Sequence, residues 1–161
     1  MIALLAAFAL VVDPSVKPVP IGPTAAYRPS AGRVPATAAC APADTFRVHV
    51  ELFARENAVV IPAGIGACAD AVRTRTPTGV VDVAGGQRRT VGDLFRVWGE
   101  PLGEHALVSF RSASAVRAYV NGRRVAGPPS SVPLSPGAEI VLEIGGYVPP
   151  HRSFLFPKGP S

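Results

Sequence analysis

Three ionisable residues, Arg47, His49 and Glu51, alternate with apolar ones in the run Phe46-Arg47-Val48-His49-Val50-Glu51-Leu52. Side chains two apart in a strand point to the same side, so this spacing places a guanidinium, an imidazole and a carboxylate on one face. Arg73 and Arg75 repeat the pattern in Val72-Arg73-Thr74-Arg75, and Asp82 interrupts the apolar run Val80-Val81-Asp82-Val83. Residues of this kind can ligate a metal, pair as ions or bind an acidic partner. Three arginines among six positions repel a cation and cannot ligate one. Alternation alone thus predicts one polar face for Arg47, His49 and Glu51 and one for Arg73 and Arg75, with no tightly bound metal.

No other constellation carries a catalytic set. His105 stands in a Gly-Glu-His loop and His151 in a Pro-rich tail, where each reads as a surface histidine. Ser109, Ser112 and Ser114 lack the Gly-x-Ser-x-Gly context of a nucleophile elbow. Ala84-Gly85-Gly86 lacks the Lys-Ser/Thr that completes a phosphate loop and reads as a turn. The two cysteines, Cys40 and Cys68, belong to no Cys-x-x-Cys pair, which argues against a zinc knuckle or a thioredoxin-like role. In an exported chain they would bond to each other, closing a loop worth roughly 3–4 kcal/mol on the chain-entropy model. In a reducing compartment they would remain thiols.

The elements that hold these residues follow from period and punctuation. Phe46 to Leu52 reads as a half-buried strand, Arg55-Glu56-Asn57 as its turn, and Ala58 to Ile61 as the return strand closed by Pro62. Residues 71–83 read as extended around Thr76-Pro77-Thr78-Gly79. The one convincing helix begins at Thr90, an N-cap with Asp93 three places on. Val91, Leu94, Phe95 and Trp98 form its apolar face, Gly99 supplies a left-handed stop, and Pro101 blocks continuation. The helix carries the only Trp, so it is expected to plug the core. Leu107 to Phe110 reads as a short strand. Val116 to Val120 and Arg123 to Ala126 form a hairpin about Asn121-Gly122, the strongest such signal in the chain. Residues 128–136 form a loop with Leu134 inward, and Glu139 to Ile144 is the last strand. The order predicts an α+β fold, a β-grasp-like mixed sheet with one helix packed on it; a small β-sandwich with one helix is the alternative.

The two ends differ from this domain, which is placed at residues 46–148. Residues 1–12, MIALLAAFALVV, are uninterruptedly apolar but short of the ~20 residues a spanning helix needs. They match a signal-peptide core or an anchor without its basic flank, against a buried N-terminal helix or strand. Residues 13–45, rich in Pro and Ala, read as a linker, and residues 149–161 as a Pro-rich tail that wraps over the domain or frays. The net charge of +5 comes almost wholly from scattered arginines, Lys17 and Lys158 being the only lysines. A nucleic-acid binder shows a clustered basic stripe with aromatics among it, so nucleic acid is not expected as a partner.

Several of these stretches together resemble an actinobacterial group of extracytoplasmic proteins of unknown function. They are Arg47 to Leu52, Ile61-Pro62-Ala63-Gly64-Ile65-Gly66, Val72 to Arg75 with Gly79 to Val83, Val91 to Leu102, and Val120-Asn121-Gly122-Arg123. In that group the first strand reads H-x-H-x-H-L and a later pair reads L-H-T-H-D and G-I-I-H-I. The resemblance implies a face lined with imidazoles in the relatives; of the matching positions here, Arg47, His49, Glu51, Arg73, Arg75 and Asp82, only His49 keeps its histidine. The resemblance also implies that the two segments are neighbours, so that these residues form an ion-pair network with Glu51 in reach of Arg73 or Arg75. The expected function is a non-catalytic, secreted or membrane-tethered module of the cell envelope, without cofactor, that binds an unknown protein or envelope polymer, with the membrane reached through residues 1–12. Two alternatives stand beside it. One is a metal-binding protein with His49, Glu51 and Asp82 as residual ligands. The other is a basic module that binds an acidic polymer through Arg73, Arg75, Arg88 and Arg89.

Overall fold

The computed structural model describes residues 44–157, and the expectations for residues 1–43 and 158–161, Cys40 among them, lie outside that range. The chain runs β1 (Thr45–Ala54), β2 (Asn57–Val59), β3 (Val72–Thr74), β4 (Val80–Ala84), α1 (Val91–Trp98), β5 (Leu102–Gly103), β6 (Ala106–Leu107), β7 (Phe110–Arg111), β8 (Arg117–Val120), β9 (Arg123–Val125) and β10 (Glu139–Ile144). The seven-stranded main sheet has the order β3-β4-β1-β10-β8-β9, with β2 on the free half of β1. Its centre is the parallel pair of first and last strands, His49 opposite Glu139 through Ala54 opposite Ile144. Strand β4 flanks β1 and β8 flanks β10, both antiparallel. A parallel pair needs a long crossover, and α1 lies within the one that joins these strands. This is the β-grasp arrangement of an α+β fold, not a sandwich. The short strands β5, β6 and β7 form a separate small sheet.

Local chemistry explains the helix. The Thr90 N–H donates to Asp93 Oδ2 at 2.9 Å, and Gly99 takes φ 81° and donates its N–H to the Phe95 carbonyl. Val91, Leu94, Phe95 and Trp98 are buried and meet Val48, Val50, Leu52, Val72, Val81, Val83, Ile140 and Leu142 in one core. Asn121 and Gly122 both adopt positive φ, as the hairpin turn between β8 and β9 requires. The turn after β1 reaches the same geometry without glycine: Arg55 and Glu56 have φ of 50° and 67°.

Two local expectations change. The single strand at Leu107 to Phe110 is instead two two-residue strands folded about Val108-Ser109, with Val108 at φ 53°. Strand β1 is not half-buried: every residue from Val48 to Ala54 is buried, on both faces. The second cover comes from the C-terminal segment.

Candidate functional site

Register puts the predicted polar residues on one face of the sheet, opposite the helix. Arg73, Asp82 and Arg47 lie abreast across β3, β4 and β1. The next row holds Val80, His49 and Glu139, and the one after it Glu51, Val141 and Tyr119. Phe53, Glu143 and Arg117 close the series. One face thus gathers all the anticipated positions on strands and adds Glu139, Glu143 and Arg117.

The segment after β10 crosses this face as a strap. Val148 packs against the apolar island of Phe53, Tyr119 and Val141. His151 places Nδ1 2.5 Å from Glu51 Oε2. Phe154 stacks on the His49 ring, with centroids 3.8 Å apart and planes 1° from parallel. Phe156 meets Phe154 edge-on and lies under the Arg47 guanidinium. Arg47 also donates from Nη1 to the Pro157 carbonyl at 2.9 Å. The tail therefore wraps over the domain rather than fraying, as far as residue 157.

Beneath the strap is the chemical centre of the face. His49 and Glu139 have no exposure at all, and Glu51 is buried. His49 Nδ1 lies 2.7 Å from Glu139 Oε2, and its Nε2 lies 2.8 Å from the Thr78 carbonyl. A carbonyl only accepts, so Nε2 carries a proton and the second contact fixes the ring. Gly79 makes this approach possible: a Cβ there would stand 3.0 Å from Nε2. Glu139 is anchored at its backbone, its N–H donating to Asn121 Oδ1 at 2.9 Å and its carbonyl accepting from Asn121 N. Ligand atoms of His49, Glu51 and Glu139 lie within 4.8 Å of one another.

Around this centre the charges pair off. Arg75 donates from Nε to Asp82 Oδ2 at 2.7 Å, an exposed guanidinium on a partly covered carboxylate. Arg117 Nη2 lies 3.1 Å from Glu143 Oε2, and the Val148 N–H donates to Glu143 Oε1. Burial raises the Glu143 pKa above its ordinary 4.5 despite the opposing pull of the Val148 N–H and Arg117. Tyr119 is raised too, first by burial and then by the Glu143 charge. On the helix the balance is reversed. Burial pulls Asp93 up, but the Thr90 N–H and Arg96 outweigh it and lower its pKa.

Asp82 belongs to the face but pairs with Arg75, outside the His49 cluster. Arg73 is buried on β3, while Arg88 and Arg89 stand beyond the sheet, before α1. Glu139 escaped sequence reading because no local pattern ties it to β1, and only the parallel register brings it to His49. The signal was weak but present: in Glu139 to Ile144, Glu139 and Glu143 share the side opposite Ile140, Leu142 and Ile144. His151 had no period to place it. Cys68 is exposed in the loop before β3, and the expected bond to Cys40 falls on a residue outside the described range. Among the described residues no helix is long and apolar enough to cross a membrane. Comparison with family models, with curated proteins and with solved structures found no match.

Proposed function

We propose that this chain is a non-catalytic module of the cell envelope, secreted or held at the membrane by residues 1–12, that acts by binding. One observation carries the non-catalytic half of the reading. The buried cluster of His49, Glu51 and Glu139 is closed by the chain's own strap, with Phe154 lying flat on His49. A substrate would have to displace that ring before touching the imidazole. The apolar N-terminus and the Pro-rich linker support the envelope location. The basic-module alternative draws less support: Arg73 is buried and Arg75 gives its charge to Asp82.

Fractionation of an actinobacterial host that carries a C-terminally tagged copy tests this. The tag is expected in the medium or with the membrane and wall. A tag found wholly in the cytosol would overturn the reading.

A further inference from the structure

We infer that His49, Glu51 and Glu139 form a site for a divalent transition-metal ion, zinc above all, that fastens the C-terminal strap to the sheet. The inference does not depend on where the domain resides or on what it binds. It reverses the expectation drawn from the arginines, and the reason is positional. Arg75 is committed to Asp82 at 2.7 Å and Arg47 to the Pro157 carbonyl at 2.9 Å. Arg73 stands two strands away from β1, abreast of Arg47 rather than of His49.

Geometry and donor chemistry agree. Zinc binds imidazole nitrogen and carboxylate oxygen at ~2.0–2.2 Å, so two ligand atoms on one ion stand at most about 4 Å apart. The three side chains already offer ligand atoms within 4.8 Å of one another, all buried. Binding one ion requires the two carboxylates to close the remainder. One imidazole and two carboxylates suit zinc, manganese or iron(II), while sulfur-seeking ions lack a partner here.

The histidine is oriented as a ligand should be. Its Nε2–H donates to the Thr78 carbonyl, the outer contact that fixes the tautomer of a metal-bound ring and leaves Nδ1 as the donor atom. That Nδ1 faces Glu139 Oε2 at 2.7 Å, a contact that needs a positive centre between nitrogen and oxygen. A proton serves, and so does a metal ion. Glu51 has the matching outer partner in His151, 2.5 Å away on the strap. Two carboxylates buried side by side call for a positive counterpart, and one divalent ion would neutralise both.

The test uses the full chain, oxidised and stripped with a chelator, then titrated with zinc and with cobalt(II). One equivalent of zinc is expected per chain, with a rise in melting temperature and with slower trypsin cleavage after Arg152, which is exposed on the strap. Cobalt should give the visible spectrum of a nitrogen–oxygen site. Glu139→Gln should abolish stoichiometric binding. His151→Gln removes only the outer partner and should weaken zinc about tenfold. It alters a half-buried residue of the strap, so it serves if the Glu139 variant fails to fold. His105→Ala should bind as the unaltered chain does. Absence of stoichiometric zinc, or unchanged affinity in a folded Glu139→Gln or His151→Gln chain, would overturn the site.

Discussion

The two faces of the central sheet are covered by opposite means. On one, Val48, Val50, Leu52, Val81, Val83, Ile140 and Leu142 meet a helix whose buried side chains are all apolar. On the other, a strap without regular secondary structure covers His49, Glu51 and Glu139 through one ring stack, one histidine contact and a small apolar island. The first cover is held by the transfer of apolar area, which tolerates small shifts. The second depends on the placement of individual polar atoms, where a lost partner leaves a buried group unsatisfied. The same strands therefore carry a face held by apolar area and a face held by individually placed polar contacts.

The largest effect should come from the helix side. Trp98 is only 7% exposed and lies 5.4 Å from the Phe95 ring in a tilted pair. Trp98→Ala is expected to cost ~3–5 kcal/mol, the range for deleting a large core aromatic. Urea denaturation at neutral pH measures it. An unchanged midpoint would mean that the apolar face does not rest on the helix, and the contrast between the two faces would fail.

That side was also the more legible one. The helix follows from Thr90, Asp93, the Val91-Leu94-Phe95-Trp98 spacing and Gly99, all of which act within one short segment. The hairpin at Asn121-Gly122 follows from two residues. The polar face was legible only in its near half. Alternation alone groups Arg47 with His49 and Glu51, and Arg73 with Arg75. Placing Glu139 beside His49 requires the parallel register between strands that lie 90 residues apart, which no local pattern specifies. The burial of β1 on both faces was hidden for the same reason: its cover, Val148 to Phe156, has no period. The Arg55-Glu56 turn was placed correctly, but its left-handed backbone has none of the usual Gly, Asn or Asp signals. Val108 likewise adopts positive φ against the preference of a β-branched residue, which is why the short strand there splits in two.

The strap side should respond less in stability and more in local opening. Phe154→Ala removes the ring stacked on His49 but leaves the main sheet intact. Aromatic pairs are worth ~0.5–1.5 kcal/mol beyond the area they bury, so a total loss of about 1–2 kcal/mol is expected. The sharper readout is amide exchange. Protection of the Val148 N–H, which donates to Glu143, should fall, whereas that of β1 and β10 should hold. Equal loss along strap and sheet would show that the two covers are one cooperative unit.

The smallest expected effect separates the faces by pH. Glu143 lies on the strap side, where burial raises its pKa above 4.5, while Asp93 lies on the helix, where the Thr90 N–H and Arg96 bring a net lowering below 3.8. The two carboxylates act in opposite directions. As pH rises above 4.5, Glu143 ionises first in the unfolded chain, so the folded chain holds the extra proton and stability falls towards the folded-state pKa. Asp93 contributes stability that is present above 3.8 and is lost as pH falls through its lowered value. Glu143→Gln removes the first effect and leaves the second. The stability of the variant minus that of the unaltered chain should therefore increase with pH from 4.5 upward until Glu143 is ionised in both states, and then level off. Denaturation curves taken across that range supply the difference, and its slope is independent of whatever hydrogen bonding the amide loses to Arg117. A difference that falls with pH would mean that Arg117, 3.1 Å away, outweighs burial, and that the charges on the strap side hold the fold as Asp93 does on the helix side.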